Sequence, residues 1–230
     1  ETPLCEFKVE SALGQGSAVL KVSAPNYQEQ TADITVVGAP WEYVGSNGSS
    51  LTNNGATQLS MAYDSNNIPY VAFGDANYGY ALSIMKYNGT SWVYVGQPGF
   101  GGQQSYWFSI AFKHNDSSNT PYVAFQDGSA ADKLSVISFN GSKWNYVGNP
   151  GFSPSFGGYI NLRFNNSNIP YVSFMDSMGP IDGVPNFQGA SVMTYQNAAW
   201  QLVGPRNFTN TQTRFNSLAI GTDNTLYVAL

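Results

Sequence analysis

The chain has 230 residues, enough for one large all-β domain or two smaller ones. Charged residues make up 10% of it, against about 25% in an average soluble domain, and the formal net charge is −5. The nine Lys and Arg are scattered, which excludes a clustered basic face for nucleic acid or an anionic membrane. Cys5 is the only cysteine, so no disulfide forms within the chain, and any partner it has lies outside. No stretch has the length and apolarity of a membrane-spanning helix. The chain opens without an initiator Met and stops inside a strand, and is expected to belong to something longer.

Strands are predicted at Cys5–Ser11, Ser17–Ser23 and Thr31–Val37, punctuated by Gly14-Gln15-Gly16 and Ala24-Pro25-Asn26. The stretch AVLKVSAPNYQEQTADITVVG resembles the last hairpin of an immunoglobulin-like or PEGA-like sandwich module of bacterial surface proteins. Three strands do not close a sandwich. Gly38-Ala39-Pro40 is the natural boundary, giving residues 1–38 as a partial β segment and 39–230 as a second region.

From Trp41 onward the chain repeats. Trp41, Trp92, Trp144 and Trp200 recur every 51 to 56 residues, and YVAF, YVAF, YVSF and LYVAL open near Tyr70, Tyr122, Tyr171 and Tyr227. Each unit reads as four short strands. Strand a is LSMAY, SIAF, INLRF or SLAI; strand b is YVAF and its kin; strand c is LSIMKY, LSVISF or ASVMTY; strand d is WVYVG and its kin. Asn88-Gly89 and Asn140-Gly141 predict hairpin turns with positive φ at both central residues, and Gln196–Ala199 a different turn. Pro69, Pro121 and Pro170 stand where a strand begins and no central ladder bond is lost.

Strands b and d are apolar on both faces, Tyr70 and Ala72 against Val71 and Phe73. A sheet buried on both sides and repeated at this period is a β-propeller blade packed between two neighbours. The pattern PYVAF-x-D followed by S-V-M-K-Y-N-G-x-W-x-x-V-G resembles repeats in secreted and cell-surface β-propeller proteins of bacteria. That resemblance covers residues 41–230 and implies a propeller outside the cell, with no catalytic residue attached. No Trp-Asp pair closes the blades as in WD40 repeats, and the sialidase box S-x-D-x-G-x-x-W is absent. The chain holds a lone strand d, three whole blades and strands a and b of a fourth. The ring therefore closes either through further chain or through copies of itself.

Alternation of four strands sorts the loops. The a–b and c–d turns fall on one face and the longer b–c and d–a connections on the other, where rigid scaffolds carry function. Asp75, Asp127 and Asp176 each follow the Phe of strand b by two residues. They fit either a carboxylate ring for calcium or polar sugars, or caps on the loop that follows. Tyr78, Tyr106 and Trp107 are non-repeated aromatics suited to stacking on sugar rings, with Asp182 and Arg206 on the same face. Phe100, Phe152 and Phe208 recur at one place and read as packing anchors. His114, the only His, lacks the partners of a general base or a zinc ligand.

Six sequons, at Asn47, Asn88, Asn115, Asn140, Asn165 and Asn207, mark possible glycosylation. The expectation is a non-enzymatic extracellular or cell-surface binding or adhesion module that contacts a glycan or protein. Alternatives are a structural subunit of a filament, stalk or surface layer, and a carbohydrate-active enzyme on a propeller scaffold.

Overall fold

The computed structural model describes residues 16–22, 30–36, 44, 51–177, 188–209 and 212–230. The chain divides into two compact units, Glu1–Val44 and Gly45–Leu230. In the first, β1 (Gly16–Val22) and β2 (Gln30–Val36) pair antiparallel from Gly16↔Val36 to Val22↔Gln30. Both lie one residue earlier than the spacing predicts. Cys5, the strand expected at Cys5–Ser11, the Gly38–Pro40 boundary and Trp41 lie outside the described residues.

In the second unit each repeat becomes an antiparallel meander. β3 (Ala56–Tyr63), β4 (Pro69–Asp75), β5 (Ala81–Tyr87) and β6 (Trp92–Tyr94) form the first sheet. β7 (Tyr106–Phe112), β8 (Pro121–Asp127), β9 (Lys133–Phe139) and β10 (Trp144–Tyr146) form the second. β11 (Gly157–Phe164), β12 (Pro170–Ser177), β13 (Gln188–Gln196) and β14 (Ala199–Leu202) form the third. β15 (Ser217–Ile220) and β16 (Leu226–Ala229) pair as the start of a fourth.

These sheets are propeller blades, and in the three whole ones the two middle strands are buried on both faces. Tyr70, Ala72, Leu82 and Ile84 of the first blade meet Phe108, Ile110, Val123 and Ile137 of the second. Ala124, Leu134 and Val136 on the other side of the second blade meet Ile160, Leu162 and Val172 of the third. Phe73, Phe125 and Phe174, one at the centre of each strand b, are fully buried. Burying such a side chain contributes about 1.5–3 kcal/mol, which makes the repeated YVAF the anchor of every blade.

Polar fasteners cross the same interfaces at repeated positions. The Trp144 Nε1–H donates to the Val95 carbonyl oxygen and the Trp200 Nε1–H to that of Val147, both at 2.7 Å. Ser60 Oγ accepts from the Ile110 N–H at 3.0 Å, and Ser109 Oγ from the Leu162 N–H at 2.9 Å. Asn119, Asn168 and Asn224, all at positive φ in their a–b turns, accept backbone N–H groups of Ser65, His114 and Asn166 in the preceding turn. Asn tolerates that backbone conformation and turns its amide oxygen to the neighbour.

The c–d turns depart from expectation. Four residues, 88–91, separate the paired Tyr87 and Trp92, and of the Asn-Gly pair only Gly89 has positive φ. Asn88 instead caps the loop, its Oδ1 accepting from the N–H groups of Thr90 and Ser91. The third copy, which lacks Asn-Gly, has the two-residue turn with positive φ at both Asn197 and Ala198.

Gly96 and Gly204 separate two costs of the Trp-binding step. Both have φ near +70°, but a Cβ at Gly96 would lie 2.8 Å from Phe139 and 3.0 Å from Trp144, whereas one at Gly204 meets nothing within 4 Å. Gly204→Ala is expected to cost about 1 kcal/mol, the backbone penalty alone, and Gly96→Ala about 2–4 kcal/mol. Urea midpoints of the two variants check the difference.

Candidate functional site

The b–c loops begin with the repeated aspartates, and their burial decides their role. Asp75, Asp127 and Asp176 have at most 1% of their surface exposed. Asp75 Oδ1 accepts the Asn77 N–H at 3.0 Å and its Oδ2 the Tyr94 hydroxyl at 2.8 Å. Asp127 likewise caps Ser129 and takes the hydroxyls of Ser135 (2.8 Å) and Tyr146 (3.0 Å). Each caps a short 3-10 turn, Ala76–Tyr78 and Gly128–Ala130. These carboxylates hold loops and have no oxygen turned out for calcium or a sugar. Among the described residues no three His, Cys, Asp or Glu side chains gather as a metal site requires.

In the third blade the brace is rebuilt with other residues. Leu202 stands where Tyr94 and Tyr146 stand, so the phenolic donor is missing. Arg206 fills the gap, its Nε donating to Asp176 Oδ2 and its Nη2 to Oδ1, both at 2.7 Å, with Ser155 and Ser191 completing the shell. Hydrogen bonding to Asp176 raises the Arg206 pKa further. Arg206, expected on the ligand side, is thus spent on a carboxylate. The serine of each strand c then ties down the d–a loop: Ser83, Ser135 and Ser191 accept the N–H groups of Gly99, Gly151 and Asn207, all at 2.9 Å.

The non-repeated aromatics separate. Tyr78 is exposed but lies over Gly99, edge-on to Tyr94. Trp107 sits at the bulge of β7 with φ 57°, laid across Gly158 and tilted onto Tyr159 at 4.1 Å. Its backbone N–H donates to Gln58 Oε1 of the first blade. Trp107 therefore packs between blades rather than offering a free face. Asp182, Pro185 and Phe187 lie outside the described residues.

Tyr106 does face an opening. With Gln126, Ala131, Asp132 and Phe156 it lines a depression of about 380 Å³ at the loop-face end of the crevice between the second and third blades. Tyr106 opposes Gln126 in the ladder, so both side chains fall on the side turned to the third blade. Phe156, 46% exposed, is brought across by a bridge from its backbone to Lys133. Asp132 is held at φ 59° by its N–H bond to the Asp127 carbonyl oxygen. The Tyr106 hydroxyl, the Gln126 amide and the Asp132 carboxylate have no hydrogen-bond partner among the described residues. Sequence reading found Tyr106 and missed the rest. Their signal is divergence between copies: Gly74, Gln126 and Met175 are equivalent, as are Tyr80, Asp132 and Gln188.

No family model matches the chain, and no curated protein matches it. Among solved structures, a fucose lectin from Kordia zhangzhouensis in complex with methyl-fucoside is similar with a TM-score of 0.41 and 10% identity, over 64% of this chain and 98% of that one. A thermostable family-43 glycoside hydrolase is similar with a TM-score of 0.42 and 10% identity, over 87% of this chain and 74% of that one.

Burial, together with the hydrogen bond to Asp75 and its negative charge, pushes the Tyr94 phenol up to about 12, from 10.0. A folded pKa above the unfolded one means that its contribution is complete below pH 10 and is lost as pH climbs through about 12. Alkaline unfolding curves should show this loss, and Tyr94→Phe should remove it while costing about 1 kcal/mol at neutral pH. The sequons give a second test. Asn88, Asn115 and Asn140 are exposed, Asn165 is buried with its Oδ1 capping Ser167 and Ile169, and the Asn207 amide turns to the Asp176 and Gly189 carbonyls. Asn47 lies outside the described residues. Peptide mass spectrometry after expression in a glycosylating host should find sugar at the first three and none at Asn165 or Asn207.

Proposed function

We propose that the chain is an extracellular or cell-surface module that binds a neutral saccharide, without transforming it, in the depression between its second and third blades. One observation carries this: three polar groups without partners line the depression together with two aromatic rings, Tyr106 and Phe156. A sugar ring suits that lining, with its C–H face against an aromatic and its hydroxyls on an amide and a carboxylate. Asp132 is the one carboxylate among the lining residues. Glycoside hydrolysis uses a pair of carboxyl groups about 5–9.5 Å apart, and the nearest repeated acid, Asp127, is buried as a brace. The low charge of the chain fits a neutral ligand, and the resemblance of its repeats fits a place outside the cell.

The test is a neutral-glycan array read with the purified chain and three variants. Tyr106→Ala and Asp132→Asn should each weaken retention about tenfold, about 1.4 kcal/mol, at unchanged melting temperature. Trp107→Ala should lower the melting temperature instead. Unchanged binding in the first two variants removes the site. Release of reducing sugar that disappears in Asp132→Asn replaces binding by hydrolysis.

A further inference from the structure

The opposite face carries a larger crevice, about 460 Å³, between the first and second blades. Part of its wall does not repeat. Eight residues, 113–120, join β7 to β8, whereas five join the same strands in the other copies, at 64–68, 165–169 and 221–225. Ser118, Asn119 and Thr120 of that longer turn line the crevice, with Asn140 of the c–d turn across from them. Lys86 is also in the lining, at the position where the second and third blades have Ser138 and Thr194. Its ammonium lies 5.9 Å from the Tyr70 ring centre and forms no ion pair with a described residue. Lys86 thus brings a positive charge to a crevice walled by the extended turn.

We infer that this crevice is a second binding site, for a saccharide bearing a single carboxylate, a uronic acid, placed on Lys86. One ammonium beside neutral amides and hydroxyls matches one negative charge. A phosphate carries about −1.5 to −2 and suits an arginine fork or several cations. Asp64 at the crevice edge narrows the choice further: it is buried, with its Oδ1 accepting from the N–H groups of Asn66 and Ile68, and repels a multiply charged ligand. Ser118 and Thr120 supply donors and acceptors for sugar hydroxyls around the charge. The module then holds a neutral saccharide on one face and an acidic one on the other. The second site does not rest on the first.

The probe is a galactose trimer in which one end unit is galacturonic acid, so that it carries a single carboxylate, titrated into the full chain and followed by calorimetry at 50 mM and 300 mM salt, with the all-neutral galactose trimer as control. The acid trimer should bind, weaken with salt, and lose about tenfold in affinity in Lys86→Gln. The neutral trimer should not respond to that change. Lys113→Gln is the matched control: Lys113 also lies over a tyrosine, Tyr122, at 5.2 Å but outside the crevice lining. It should leave binding unchanged. No binding of the acid trimer, or equal binding in Lys86→Gln, overturns the inference. Equal losses in Lys86→Gln and Lys113→Gln overturn it too, because they show attraction to surface charge in general.

Discussion

A buried indole N–H has to find an acceptor, and here the acceptor lies in the next sheet. Trp144 and Trp200 each reach back to the carbonyl oxygen of the valine just after strand d of the preceding blade. The glycine after that valine has positive φ and no Cβ, so the Cδ1–Nε1 edge of the indole comes close to the chain at Gly96 and Gly148. The repeated V-G and the repeated W are thus two halves of one contact, separated by about fifty residues in sequence. A blade with either half alone would leave a polar group buried without a partner or a ring without a seat. Everything else in the interface, the serine bonds of strand a and the asparagine clasps of the a–b turns, falls into place once that contact sets the distance between sheets.

The loop face is rigid for a related reason. Each blade places one carboxylate at its end, fully buried, and surrounds it with donors that belong to the loops it must hold. The third blade shows what the arrangement requires. When the tyrosine becomes Leu202, the carboxylate of Asp176 still needs charge-assisted donors, and Arg206 arrives from the d–a loop in a two-pronged pair. A proline-glycine step gives way to Arg206-Asn207 at that place, and Asn207 keeps the left-handed backbone that Gly99 and Gly151 have elsewhere. The substituted residues compensate one another, which is the behaviour of a structural brace.

The repeat, the four strands and their two-sided burial were legible in the sequence, because unbroken apolar runs and a motif that recurs every fifty residues or so are both read directly along the chain. The caps of Asp75 and Asp127 were legible as one of two alternatives, and burial selects between them. Other features were out of reach. The bulge that turns Trp107 into an interblade wedge is a backbone event with no single residue as its signature, since Gln58, Trp107, Tyr159 and Phe215 share one conformation, the last three as rings packed from blade to blade. The depression was hidden differently: Tyr106, Gln126, Asp132 and Phe156 come from two strands, a loop and the next blade, and meet only when two sheets stack.

That contrast gives a way to read such a chain. In a repeat protein the fold demands the same thing at the same place in every copy, so what recurs is explained by packing, and the recurring Asp, Phe and Trp prove to be braces and core. Function has to be carried by what does not recur, but most divergence is neutral drift on a surface. The divergent positions that matter are those which converge in space while leaving polar groups without partners. Two places among the described residues meet both conditions: the loop-face depression, with its free hydroxyl, amide and carboxylate, and the opposite crevice, with its extended turn and unpaired lysine. Both lie where two blades meet, because there the rigid sheets of neighbouring copies hold unlike residues at fixed separation.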